Sequence, residues 1–405
     1  MGESRFAGVD WASEEHAVCV TDAAGRIVDG RRYRHDERGI RALCGRLLEL
    51  GVELVAVERP DGLLIERLLD AGLSVLAIHP NQVAAMRPRF SAAGGKSDSF
   101  DAFVLAELAR TDSHRFRVLV PDSDQTKALR ALSRAREDLV EHRVALANEL
   151  RAQLGCFWPG AAQVFADVDS PIALAFLRRY PSPADAHGLG EQRMARVLAR
   201  HHDCGRRSPA QLLERLRGAA HGRAGQLESE ARRQVVLALA AALEPIVQRI
   251  SELTSEIRAG LQDHVDGPTF RSLFIDPKSA VCAAAMLAEI GDCRDRYPTK
   301  ATLAADGGQS PVAIESGKSK HARFRWACDH RLRAAIGTLA DTSRHHNPWA
   351  ADIYARARAR GCTHQHAIRI LGRAWCGVIW RLWRDHDVYD PERHTARQRL
   401  TAATN

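Results

Sequence analysis

The chain has 405 residues, of which 45% are apolar and 27% charged, and carries a formal net charge of +8. That length exceeds one ordinary core and predicts roughly two to four domains. A composition of this kind, with a mean hydropathy of -0.28, excludes a disordered or collagen-like chain, and no run of about 18 apolar residues stands out as a membrane span. The start shows no basic stretch followed by an apolar one, so a soluble chain without a signal peptide is expected. Nine cysteines stand singly with no CxxC pair, the pattern of a reducing cytoplasm rather than of a disulfide framework. The charge is concentrated at one end: the last 112 residues hold 20 Lys and Arg against 10 Asp and Glu. A polyanion is the natural partner of such a segment.

Residues 5–11, 15–21 and 26–33 read as three short strands joined by polar turns such as Asp22 to Gly25, an antiparallel meander. A helix over about 37–50 places Ile40, Leu43, Leu47 and Leu48 on one face. The apolar run from Val52 then ends at Glu58, as the first strand ends at Asp10. A second helix near 62–72 and a strand from Leu73 to Ile78 follow. A meander followed by alternating strands and helices is the order of the ribonuclease-H-like fold.

Pro88 to Lys96 reads as a glycine-containing loop, and a helix is expected to open at Ser97 and run to about 111. Asp98 and Asp101 stand three apart in its first turn, on one face, where the helix macrodipole favours negative charge. Acids are common at helix starts, so this pair alone says little. Two strand-end acids before it make the set four. Buried carboxylates repel one another and are costly to desolvate unless a cation holds them. Four of them support phosphodiester cleavage or transfer, in which shared divalent ions activate the attacking oxygen and stabilise the leaving one; Mg²⁺ suits such hard oxygen ligands. Actin-like sugar kinases also begin with strand-Gly-Val-Asp. Here, however, Asp10 is followed by Trp11, Ala12 and Ser13, with no glycine to bring backbone amides onto a phosphate.

These residues carry a resemblance. The first 120 residues resemble the RuvC-like domain of the DEDD transposases of bacterial insertion sequences, a family that includes the Piv-type DNA invertases. The family's Asp, then Glu, then a Lys-x-Asp-x-x-Asp-Ala helix start are matched by Asp10, by Glu58, and by Lys96, Asp98, Asp101 and Ala102.

From Pro121 to about Leu154 a long polar helix is expected, with Leu132, Leu139 and Leu146 every seven residues and Leu129 and Leu150 beside them, a seam that seeks a partner. Residues 226–265 are a candidate, with Val236, Leu239, Leu243, Ile246, Ile250, Leu253 and Ile257 at alternating spacings of three and four. Pro245 should kink or break that run. The sequence does not choose between an intramolecular hairpin and a dimer seam; the resemblance favours a coiled-coil arm used in assembly. Between the two lie residues 155–225, punctuated by Pro159, Pro171, Pro181 and Pro183. His201, His202 and Cys204 lack a second ligand pair at zinc spacing and read as structural.

A third region begins near Thr269. Its small-residue helix, Ala280 to Ile290, is closed by Gly291 and resembles the domain that ends these transposases, although Asp276, Pro277, Lys278 and Ser279 replace the family's Pro-Gly-x-Gly hairpin. The family carries a nucleophilic serine before a glycine, a pair matched by Ser316 and Gly317. Read from residues alone, the segment is a polar turn, with Ser310 and Ser319 as rivals. Lys318, Lys320, Arg323, Arg325, Arg331 and Arg333 surround it and suit charge stabilisation at a phosphate. Helices near 329–344, 348–360 and 364–384 follow, the last with Ile368, Leu371, Trp375, Val378 and Leu382 as a packing face; His364 and His366 read as structural. The tail from Pro391, with Arg393, Arg397 and Arg399, could touch a phosphate backbone.

The expected architecture is thus α/β plus α: a RuvC-like domain over 1–120, a coiled-coil region over 121–265 with an insert at about 155–225, and a basic, mainly helical transposase domain over 266–405. The resemblance implies that Asp10, Glu58, Asp98 and Asp101 bind Mg²⁺, and that Ser316 attacks a phosphodiester of double-stranded donor or target DNA to form a phosphoserine link. It further implies that the two sites meet across subunits of a homo-oligomer, a tetramer, that a noncoding bridge RNA guides the choice of DNA, and that the protein acts in the bacterial cytoplasm. Two other functions fit the residues: a metal-dependent Holliday-junction nuclease that uses only the acids, and a nucleic-acid-binding protein without catalysis.

Overall fold

The computed structural model describes residues 4–58, 62–90, 97–201, 206–316 and 319–395, without the side chain of Lys320. Lys96, His202, Cys204, Gly317, Lys318, Arg397 and Arg399, singled out above, lie outside the described residues. The chain divides into two compact units, Met1–Asp122 and Ser123–Asn405.

In the first unit, β1 (Arg5–Asp10), β2 (Glu15–Asp22) and β3 (Ile27–Arg34) form the antiparallel meander, and β4 (Val52–Val57) and β5 (Val75–Ala77) extend it in parallel, giving the order β3-β2-β1-β4-β5. Both faces of the central strands are apolar because both are covered. Val55 and Val57 join Ala7 and Val9 under α1 (Glu37–Glu49) and α2 (Leu63–Asp70). The intervening Leu54 and Ala56 pack on the opposite face against α3 (Pro80–Phe90) and α4 (Asp98–Asp112). Ser97 caps α4 by accepting a hydrogen bond from Phe100 N, the expected helix start. Gly8 sets how closely α4 approaches β1, since a Cβ there would stand 2.0 Å from the Ala102 carbonyl oxygen and 2.4 Å from Ala106 N. The loop expected from Pro88 begins later: α3 runs through Phe90 with Pro88 inside its last turn, where proline removes one backbone hydrogen bond.

The second unit is built on α5 (Asp124–Phe157) and α10 (Gln226–Asp263), the longest helices at 34 and 38 residues. They pair antiparallel within one chain: Leu129 packs on Gly260, Arg136 Nε donates to Thr254 Oγ1 at 2.7 Å, and Arg232 donates to Gln153 Oε1 at 2.9 Å. The seam is therefore an intramolecular hairpin. Pro245 lies inside α10, which continues through it. One stretch of α10 is long and apolar enough to cross a membrane by length and composition, and 28% of it is buried inside the protein.

Each end of this hairpin has its own core. At one end α6 (Pro159–Val164), α7 (Pro171–Arg179), α8 (Glu191–Arg200) and α9 (Pro209–Gly218) close over Phe157, Phe176, Met194, Leu212 and Leu243. The described residues of 155–225 thus form a four-helix cap. At the other end α11 (Gly267–Ser272), α12 (Ala280–Ile290), α13 (Lys300–Asp306), α14 (His330–Ser343), α15 (Pro348–Ala359) and α16 (His364–Asp385) pack around Met286, Ile336, Leu371, Trp375 and Trp383. Arg134 clamps α5 to α12 through Glu289, at 2.8 and 2.7 Å. The segment around Ser316, expected as a polar turn, is a hairpin of β6 (Val312–Ser316) and β7 (Ser319–Arg323).

Candidate catalytic carboxylates and the serine hairpin

The strand register brings the first two acids together. Val9 pairs with Val57 in the parallel β1–β4 ladder, so Asp10 and Glu58 follow one another at adjacent strand ends. Across the sheet Asp10 faces Ala17 and Ala17 faces Arg32. The close approach at Gly8 then sets the first turn of α4 beside the end of β1, with Asp101 immediately before the touching residue Ala102.

Asp101 is 3% exposed and is held by Arg87 of α3 through two hydrogen bonds, Nε to Oδ1 at 2.6 Å and Nη2 to Oδ2 at 2.8 Å. The guanidinium's pKa is raised first by this hydrogen bonding to Asp101, then by the charges of Asp101, Glu58 and Asp10, against the opposing effect of burial. Arg87 therefore sits in the field of three of the four expected acids. Asp98 faces solvent and lies 3.3 Å from Arg32, an exposed pair of little energetic worth. Among the described residues no group of three or more His, Cys, Asp or Glu side chains is spaced to hold a metal ion. The donor set itself is all carboxylate oxygen, which fits a hard cation, and Arg87 supplies positive charge at the same place.

Beside this site, His16 is fully buried, its Nε2 lies 2.9 Å from His35 Nδ1, and both rings pack with Trp11. Burial and then the neighbouring His35 lower its pKa to about 4, so a neutral imidazole supports the turn that follows Asp10. The sequence carried no signal for His16 or Arg87 beyond a histidine at a strand start and an arginine before a loop.

In the second unit Ser316 is the exposed last residue of β6 and pairs in register with Ser319. The arginines expected around it divide into two groups. Arg331 is engaged by Glu137 at 2.8 Å, by Asp138 at 2.7 Å and by the Arg134 carbonyl. Arg333 donates to the Arg325 carbonyl at 2.8 Å and stacks 4.7 Å from the centre of the Phe324 ring. These two fasten the second unit. Arg323 and Arg325 instead line a cavity of about 480 Å³ with Gln309, Ser310, Phe324, His366, Arg369 and Arg373. Arg369 and Arg373, one helical turn apart on α16, line this cavity from the polar side of a helix that reads in sequence as a packing element, and Ser316 is not among the lining residues. The buried Gln309 donates through Nε2 to the Gly307 carbonyl, while its Oε1 has no hydrogen-bond partner.

The first unit thus presents acids at adjacent parallel strand ends of a mixed sheet of order β3-β2-β1-β4-β5, with a helix laid across the first strand. Residues 7–159 match a family of DEDD transposases of the IS110 type, and residues 278–355 match the transposase IS116/IS110/IS902 family. The chain belongs to this family of insertion-sequence transposases. It is 30% identical over 401 residues, 96% of each chain, to the IS117 mini-circle protein of Streptomyces coelicolor, named as a transposase. It is 38% identical over 202 residues, 48% of this chain and 56% of the other, to a Sinorhizobium fredii protein also named as a transposase. The 43.6 kDa protein of insertion element IS110 from Streptomyces coelicolor is 27% identical over 396 residues, 95% of each chain.

Proposed function

We propose that this transposase breaks and rejoins DNA with two sets of groups: the carboxylates Asp10, Glu58, Asp98 and Asp101, which would hold Mg²⁺, and the hydroxyl of Ser316. The observation that supports the first part is that β1 and β4 end side by side at Asp10 and Glu58, while α4, with Asp101 in its first turn, lies against β1 at Gly8. Bound Mg²⁺ would stabilise negative charge at the reacting phosphate. The chain's own residues supply the rest: adjacent strand ends fix Asp10 and Glu58, and the α4 start fixes Asp101.

Ser316 Oγ attacks the phosphorus, a P–Oγ bond forms as the bond to one sugar oxygen breaks, the serine proton passes to solvent, and the departing sugar oxygen takes up a proton. Arg323, Arg325, Arg369 and Arg373, toward the other end of the β6–β7 hairpin from Ser316, would hold DNA phosphates beyond the attacked one. A homo-oligomer, a tetramer, carries out the exchange, guided by a noncoding bridge RNA; the family resemblance of the sequence supports both points. The bacterial cytoplasm, where the chromosome lies, is the place of action.

A nuclease that uses the acids alone draws on one observation: among the described residues no side chain is hydrogen-bonded to Ser316 Oγ. Trapping decides between the two. Denaturing gels of protein incubated with donor DNA and Mg²⁺ should show a covalent adduct that Ser316→Ala abolishes, whereas free nicked DNA without any wild-type adduct would leave the nuclease reading standing.

A further inference from the structure

The four-helix cap holds a second basic cavity that the serine and the acids do not use. It measures about 710 Å³ and lies between α7, α8 and the middle of α10, lined by Arg178, Arg179, Arg193, Arg196, Arg200 and His201. Among the described residues the one acid in its wall is Glu244, which is paired to Arg178, so five guanidinium groups share it there. Some nearby arginines are matched: Arg233 meets Asp185 at 2.9 Å, Arg143 meets Asp169 at 3.2 Å, and Arg217 donates to the Leu189 carbonyl at 2.7 Å. Arg196 and Arg200 have no acid within ion-pair distance among the described residues, and Arg193 reaches only the Gly188 carbonyl, at 3.5 Å. Arg193 also lies in the first turn of α8, where the helix macrodipole disfavours a cation. Folding gains little from these side chains: Met194 and Leu198, on the opposite side of α8, make its core contacts.

The spacing indicates what would gain. Arg193, Arg196 and Arg200 follow one another by three and four residues, forming one exposed stripe about 10 Å long at 1.5 Å rise per residue. A DNA strand presents one phosphate per about 3.4 Å of axis, so the stripe spans about three phosphates of one strand. A single small anion would meet only one or two of the five arginines. Guanidinium groups bind phosphate oxygens through two parallel hydrogen bonds, and such contacts position DNA on a protein.

We propose that the cap is a clamp for duplex DNA, gripping the sugar-phosphate backbone along the face of α7 and α8. This rests on the chain's membership of a DNA-transposing family, and not on the acids or Ser316. The test uses the full-length protein and a labelled duplex of arbitrary sequence, with affinity measured across a salt titration. Each phosphate contact contributes about 0.9 to the slope of log affinity against log salt. The variant R193Q/R196Q/R200Q should therefore lose about 2 to 3 from the slope, while the corresponding triple Lys variant retains it. Arg196→Gln alone, which exchanges one exposed side chain, should lose about 1 even if the triple variant folds poorly. Asp10→Asn and Ser316→Ala should abolish chemistry and leave the slope unchanged, so failure of the clamp and failure of the catalytic proposal are distinguishable. An unchanged slope in Arg196→Gln and the triple Gln variant overturns the proposal. So does a slope lost only on an RNA hairpin while the DNA titration stays intact.

Discussion

Arg87 and Asp101 set the state of the candidate metal site one residue at a time. A carboxylate that is 3% exposed is held in that state by its two-pronged ion pair with Arg87, and removing one partner of such a pair typically costs about 3 to 5 kcal/mol. In Arg87→Gln the buried acid loses its cation and Asp10 and Glu58 lose a shared neighbour. Without divalent metal this variant is expected to melt at lower temperature than wild type. With Mg²⁺ it should recover more of its stability than wild type gains, because the metal binds the native state and no longer competes with a guanidinium. Melting curves with Mg²⁺ and with chelator check this, and an Arg87→Gln curve insensitive to Mg²⁺ would show that these acids do not hold the ion.

At the scale of elements, the crossing of α4 over β1 decides whether the acids meet. Asp101 and Asp10 belong to different elements and are brought near only because residue 8 has no side chain. Gly8→Ala would force a methyl to within 2.0 Å of the Ala102 carbonyl oxygen, an overlap with backbone that no rotamer relieves. Overpacking of this kind costs about 3 kcal/mol. Urea denaturation should register that loss in the first unit, and DNA cleavage should fall further than the residual folded fraction accounts for, since α4 must lift away from β1. Cleavage that merely tracks the folded fraction would mean that the position of Asp101 is not needed. The β6–β7 hairpin and the α5–α10 pair show the same dependence on packing. Glu315, Ser316 and Ser319 look like part of a polar turn in sequence because no apolar alternation marks them, yet cross-strand pairing places them in a ladder. The heptad leucines of α5 announce that a partner exists without naming it.

For the whole molecule, the proposed catalytic groups fall in different compact units, the acids within Met1–Asp122 and Ser316 within Ser123–Asn405. If one active centre draws these groups from two subunits of the oligomer, Asp10→Asn and Ser316→Ala each inactivate alone, but a mixture of the two should regain part of the strand-transfer product. Recovery is read on a gel against the two single variants. No recovery at any mixing ratio would place both groups of an active centre in one chain.

The sequence by itself determined what is local or periodic: the three-strand meander and the helix starting at Ser97, the four acids in their order, the C-terminal helices to within a residue or two, and the excess of basic charge at the end. These follow from alternation, capping and composition, which neighbouring residues carry among themselves. Only the tertiary structure decided what depends on residues far apart in the chain. Strand register set Glu58 beside Asp10; the backbone contact at Gly8 brought in Asp101; and Arg87, invisible as a lone arginine, became the ion-pair partner of Asp101. The same distinction separated Arg331 and Arg333, held by α5 and by the loop after β7, from Arg323 and Arg325, which join Arg369 and Arg373 around a cavity. A charged side chain has no preferred neighbour until folding supplies one, so its type is written in the sequence while its role is set by the packing around it.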